Sequence, residues 1–330
     1  MIRRIGRRPI VPTSASVGNP TVRIAIVGAG SIGIGWALHF AHHGHEVRLF
    51  DVDAKQLESV RSRVLERLIW LKEHGLIDES VEMIADRIST YEVLESAVEG
   101  ALYIQECGPE NLDFKRSLFL EIEASASEDA VIASSSSAIP ASKFTESMKH
   151  PERALVVHPG NPPYLLLVAE LVPHPGTSSK VIAFVKGLIE STGMSAVVVN
   201  GEPEGFVFNR LQGAVLREAY CLVRDGVISP RELDEIMIRG LGKRWALIGA
   251  FGTSALNVKG GIEAHAARMA ESYRRMGLER GQDDPWTEEM VKEVAQDISK
   301  KFPPEDWESD VMKRDLALMK LTALMEELGL

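Results

Sequence analysis

Apolar residues fall in short unbroken runs over the first two-thirds of the chain. Residues 22–27 (VRIAIV) read as a strand buried on both faces, and 46–50 (EVRLF), 101–105, 130–133 and 154–157 read as further strands. Between them the period lengthens. Residues 31–43 have helical spacing, and over 53–73 Leu57, Val60, Val64, Leu68 and Leu71 recur every three or four positions. A helix over 79–86 is expected to pair with that long one across the His74-Gly75 break. Helical stretches over 112–125 and 140–148 separate the later strands. Two more strands, 166–172 and 195–200, flank a helix over 178–192. Strand and helix alternating this way predict an α/β domain with a mostly parallel, doubly wound sheet, the Rossmann type.

The pattern changes near Gly201. Helices are expected over 206–224, 230–239, 262–276, 288–301 and 313–328, broken at Asp225-Gly226, 240–242 and 283–285. The expected organisation is a loosely ordered basic tail over 1–20, an α/β domain over 21–200 with an inserted helical hairpin, and an all-α domain over 201–330. The tail carries Arg3, Arg4, Arg7 and Arg8 without a following apolar stretch, so it does not read as a secretory signal.

Charge narrows the partners. With 37 basic and 47 acidic residues the net charge is −10, which disfavours nucleic acid and anionic membranes. No apolar run is long enough for a membrane span. Cys107 and Cys221 cannot build a disulfide framework, and no Cys/His cluster suggests a metal. A reducing compartment, the cytoplasm, fits best.

Gly28-Ala29-Gly30-Ser31-Ile32-Gly33 is G-x-G-x-x-G set between an expected strand and an expected helix. The first glycine permits a tight turn, the second lets backbone approach a diphosphate, and the third lets helix pack on strand. Asp51 ends the next strand, 18 residues beyond Gly33, where an acid bonds the adenosine ribose and repels a 2′-phosphate. NAD is the expected cofactor.

Oxidation of an alcohol without a metal needs a general base, and histidine suits that task near neutral pH. His158 closes the run ALVVH at the carboxyl edge of the sheet, and Glu170 follows 12 residues on. Taken alone, His158 reads more readily as a structural residue capping a strand. The run Ser134-Ser135-Ser136-Ser137 reads equally as a loop, Asn209 as a helix-surface residue, and Arg244 as a solvated cation.

Together, GAGSIG, Asp51, QECGPENLDFK, ASSSS, HPGNPPY, ELV and GFVFNRL resemble the L-3-hydroxyacyl-CoA dehydrogenase superfamily in order and spacing, over roughly 22–325. Within it the chain is most similar to the branch that oxidises L-gulonate. The resemblance implies that His158 is the catalytic base and Glu170 its partner, with Ser137 and Asn209 on the reacting oxygen. It implies that Ser31 and Ile32 serve the phosphate loop, Asp51 the ribose, and Glu110 and Lys115 the nicotinamide half. It implies a homodimer formed through the helical domain.

Arg244 follows the Gly-x-Gly turn where the small-acid enzymes carry an arginine, so a free carboxylate is the expected substrate feature. A short-chain 3-hydroxyacyl-CoA ester or L-carnitine is the alternative substrate. An NAD-binding structural role of the crystallin kind is the alternative to catalysis. Gly160 replaces a larger residue usual in the family. Arg61, Arg63, Arg67 and Lys72 could meet a phosphate, but Glu58, Glu66 and Glu73 make a solvated, charge-balanced face the preferred reading.

Overall fold

The computed structural model describes residues 21–259, 261–280 and 303–328. The basic stretch 1–20 and the helix expected over 288–301 lie outside them. The chain divides into two compact units, one reaching Arg210 and including Leu316–Leu324, the other running from Leu211 to Asp315 and including the final residues from Met325.

The first unit is built on eight strands: β1 (Arg23–Val27), β2 (Glu46–Phe50), β3 (Ile88–Tyr91), β4 (Tyr103–Glu106), β5 (Val131–Ser134), β6 (Ala154–Pro159), β7 (Val168–Pro173) and β8 (Ser195–Val198). Their order is β3-β2-β1-β4-β5-β6-β7-β8. Every neighbouring pair is parallel except β6 with β7, which run antiparallel. Successive residues of a strand point to opposite faces. In β1, Ile24 and Ile26 therefore join one core with Trp36 and Phe40. Ala25 and Val27 join the other with Ile104 and Phe119. Burial on both faces is why the central strands β1, β4, β5 and β6 show little polar alternation.

Helices α1 (Ser31–His42), α2 (Ala54–Glu73), α3 (Val81–Ala85), α4 (Leu94–Val98), α5 (Leu112–Ser125), α6 (Ala141–Phe144) and α7 (Ser179–Ser191) connect the strands. The five predicted apolar positions of α2 are all buried, and Asp53 caps it by accepting from Lys55 N at 2.9 Å. Several elements differ from expectation. β3 and α4 were not anticipated, because β3 is a sheet edge whose Ser89 and Thr90 face solvent. The helix expected over 140–148 contracts to four residues.

In the later part, α8 (Phe208–Arg224) is followed by α9 (Pro230–Ile236), which opens with a capping box between Ser229 and Glu232. The expected break at 240–242 is not a break. Met237–Leu241 forms a π-helical segment that leads directly into α10 (Gly242–Asn257), where Gly249 takes φ +67° at a kink. Then come α11 (Gly261–Arg280) and α12 (Trp307–Leu328). Met319 of α12 is fully buried in the core of the first unit.

Candidate active site

β6 and β7 carry the central pair. In their antiparallel register His158 stands directly opposite Glu170. A cross-strand pair places side chains on the same face within reach, and here His158 Nδ1 lies 2.8 Å from Glu170 Oε2. Both residues are buried. The other carboxylate oxygen, Oε1, accepts from Val207 N at 2.8 Å and Phe208 N at 3.0 Å. Those amides are delivered by a turn in which Gly205 and Phe206 both take the left-handed region, with φ +72° and +50°. A non-glycine residue there is strained. Phe206 is nevertheless fully buried, its ring 5.9 Å from the imidazole, with Phe208 edge-on at 6.1 Å.

These donors set the charge on Glu170. Burial raises its pKa, but the hydrogen bonds from His158, Phe208 N and Val207 N outweigh that and hold the carboxyl below the usual carboxylate range. An ionised Glu170 accepts, so His158 Nδ1 carries the donated proton, and in the neutral imidazole Nε2 keeps its lone pair. No described residue hydrogen-bonds Nε2.

The four serines after β5 separate by partner. Ser134 Oγ donates to Glu106 Oε2 at 2.5 Å. Ser135 Oγ accepts from Trp36 Nε1 at 3.2 Å and Gln105 Nε2 at 2.7 Å. Ser136 Oγ donates to Glu110 Oε1 at 2.6 Å. Only the Ser137 hydroxyl is exposed without a hydrogen-bond partner among the described residues. Its carbonyl accepts from Asn209 Nδ2 at 2.9 Å, which ties the serine loop to the start of α8. Glu110 Oε1 also accepts the N–H groups of Ser137, Ala138 and Ile139 at 3.0–3.2 Å, so this acid anchors the loop. Lys115 is buried between Glu106, both of whose oxygens lie 2.9 Å from Nζ, and Glu110 at 3.8 Å.

Glu106, Gln105 and Phe206 were missed from the sequence. Glu106 sits at a strand end, as Asp51 does, and that position was the signal available. Phe206 offered none, because nothing local announces a strained aromatic. Burial pushes the thiol of Cys107 beside them up to about 12, away from the thiolate form.

The glycine loop fits a dinucleotide. Gly28 has φ +114°, and a Cβ there would sit 2.9 Å from Cys107 O. A Cβ at Gly33 would lie 1.8 Å from Gly28 O, closing the helix–strand contact, whereas one at Gly30 would meet nothing within 4 Å. The open side is thus at Gly30, where α1 begins with no side-chain cap on its first-turn N–H groups. Those groups at Ser31, Ile32 and Gly33, with the positive end of the helix, suit a diphosphate. Asp51 accepts from Ala29 N at 2.7 Å and Asp53 N at 2.9 Å, which fixes the acid beside the loop.

Gly160 has a packing role. A Cβ there would lie 2.6 Å from Leu166 Cβ, so the missing side chain admits Leu166. Arg244 belongs to the second unit, on α10, where it is exposed and Nη1 donates to Asn257 Oδ1 at 3.1 Å.

A family model described as 3-hydroxyacyl-CoA dehydrogenase, NAD binding domain, matches residues 23–202. The corresponding C-terminal domain model matches 205–301. The chain is 37% identical over 307 residues to lambda-crystallin of Oryctolagus cuniculus, covering 90% of this chain and 96% of that one. It is 35% identical over 278 residues to an L-carnitine dehydrogenase of Streptomyces coelicolor, covering 84% and 83%. A solved NAD⁺-dependent 5-formyl-3-hydroxy-2-methylpyridine 4-carboxylic acid 5-dehydrogenase superposes with a TM-score of 0.78 at 27% identity, over 94% of this chain and 99% of that one.

Proposed function

The chain belongs to the 3-hydroxyacyl-CoA dehydrogenase family and is an NAD-dependent oxidoreductase; from that premise we propose that it oxidises the 3-hydroxyl of a small free hydroxy acid of the L-gulonate type, with His158 as general base. The observation that carries this reading is the 2.8 Å His158–Glu170 pair, whose geometry leaves Nε2 as the proton acceptor. NAD, when bound, supplies the hydride acceptor; Ser31, Ile32 and Asp51 would hold its adenosine diphosphate side and Glu110 and Lys115 the region nearer the nicotinamide.

The protein's own residues divide the remaining work. His158 Nε2 takes the substrate hydroxyl proton. Glu170, already ionised and triply bonded, stabilises the imidazolium so formed without moving a proton itself. The Ser137 hydroxyl and the Asn209 amide hold the reacting oxygen in line, and their loop and helix are pinned together by the Asn209–Ser137 bond. Arg244 is assigned to the substrate carboxylate, which a guanidinium recognises by paired hydrogen bonds. The kinship with an L-carnitine dehydrogenase supports a free acid, since carnitine carries one. We place the protein in the cytoplasm as a homodimer.

NADH absorbance with L-gulonate, L-carnitine, 3-hydroxybutyrate and 3-hydroxybutyryl-CoA tests the substrate. Turnover on the free acids is expected, and turnover on the thioester alone would refute the proposal. Arg244→Ala should raise KM for the free acid and leave a thioester little affected. His158→Gln should abolish turnover while NAD still binds; substantial residual activity would remove His158 from its role.

A further inference from the structure

Arg61, Arg63, Arg67 and Lys72 of α2 do not form one solvated face. Arg61 is exposed and pairs with Asp86 at 2.9 Å, and Lys72 Nζ donates to Glu79 O at 3.2 Å. Arg63 and Arg67 are half-buried and have no carboxylate partner among the described residues. The other shielded arginines of this unit all have one. Arg23 and Arg48 share Glu46, Arg87 meets Glu79, Arg116 meets Asp113 and Arg153 meets Glu123. A guanidinium that gives up hydration without a counterion is costly, so an unpaired pair of them signals an anion.

Arg63 shows where that anion belongs. Its Nη1 donates to Ala29 O at 3.2 Å and to Gln56 Oε1 at 3.1 Å. Ala29 is the residue between Gly28 and Gly30, one peptide from the open side of the glycine loop. Arg67 Nη1 donates to Arg63 O at 2.7 Å, keeping a second cation on the next turn. Burial, then repulsion from Arg67, draws the Arg63 pKa down, the reverse of what a carboxylate partner would do. Two positive features therefore meet at one loop, the α1 N-terminus and a guanidinium arriving from α2.

We propose that Arg63 is a phosphate-binding residue of the dinucleotide site, contributing its guanidinium to the NAD diphosphate from α2. The proposal rests on the reading that the glycine loop holds NAD. It adds a side-chain charge to a subsite otherwise made of backbone N–H groups.

Calorimetric binding of NAD, ADP and adenosine to the full-length protein tests it, with Arg63→Gln, Arg63→Lys and Arg61→Gln. Arg63→Gln should weaken NAD and ADP by about tenfold, the scale of one charge-assisted hydrogen bond. Adenosine, lacking phosphates, should bind unchanged. The loss should shrink at high salt, Arg63→Lys should recover part of it, and Arg61→Gln should bind like the parent. Unchanged NAD affinity in Arg63→Gln would overturn the proposal. So would an equal loss for adenosine, which would make Arg63 a residue that shapes the loop. A folded parent protein that binds no NAD would instead refute the cofactor reading beneath it.

Discussion

Glu170 shows how much one side chain can be asked to do. Three donors converge on it, two of them amides presented by a turn that holds Phe206 at positive φ. Glu170→Gln removes the charge and keeps the shape. It should lower kcat by about 10²–10⁴-fold, the range for losing acid–base assistance or its orienting partner, with little change in NAD affinity. A change of less than threefold would show that the imidazole works unaided. Because the folded pKa is depressed, Glu170 contributes stability above the ordinary carboxylate range and loses it as pH falls through the folded value. Gly160 carries a packing prediction. Gly160→Ala forces Leu166 to move and should cost about 1–3 kcal/mol in denaturant unfolding, as overpacking does.

At the scale of an element, α1 joins two demands. Its N-terminus faces the glycine loop, and its C-terminal half carries His39 and His42, with His45 just beyond. His39 is fully enclosed against Thr192, whose hydroxyl donates to Ile189 O and therefore accepts from His39 Nε2. Burial drives the His39 pKa well below its ordinary value, and His42 falls to about 4 by burial and then by repulsion from His43. The folded state thus resists protons that the unfolded chain accepts. Stability from these groups is full above 6.5 and declines as pH falls from 6.5 toward 4. Urea unfolding across that window should show the decline, on the order of 1–3 kcal/mol, and His42→Asn should flatten it. An unchanged slope would mean that His42 takes up its proton equally in the folded and unfolded states. At the other end of the helix, Gly33→Ala should abolish folding or NAD binding, since its Cβ has no room against Gly28 O.

Over the whole molecule, burial is unevenly shared. The first unit holds both apolar cores. In the second, Cys221, Val223, Thr253 and Asp315 are the buried residues among those described, while Phe251 is 83% exposed, Leu256 77% and Leu278 69%. On the proposed reading of a homodimer, these exposed apolar side chains are the ones a second copy would cover. Light scattering should give twice the mass of one chain, and Phe251→Asp should shift the protein toward monomer. A parent protein that is monomeric at micromolar concentration would refute the dimer. Within this unit Arg280 of α11 ties back to Glu218 and Asp225, a cross-link that depends on no second copy.

Periodicity and local chemistry determined much of this protein without any coordinates. Runs such as 22–27 and 154–157 had to be strands because they lack polar alternation, and G-x-G-x-x-G between strand and helix had to be a phosphate loop. Those signals are local, and local backbone preference suffices to express them. Tertiary structure decided what depends on partners distant in the chain. It distinguished Ser137 from three neighbours already bonded to the scaffold, made β3 a strand through pairing with β2, carried the helix through 240–242, and left Arg63 without a carboxylate beside Ala29. A hydrogen-bond partner tens of residues away leaves no trace in the spacing of the residues around it.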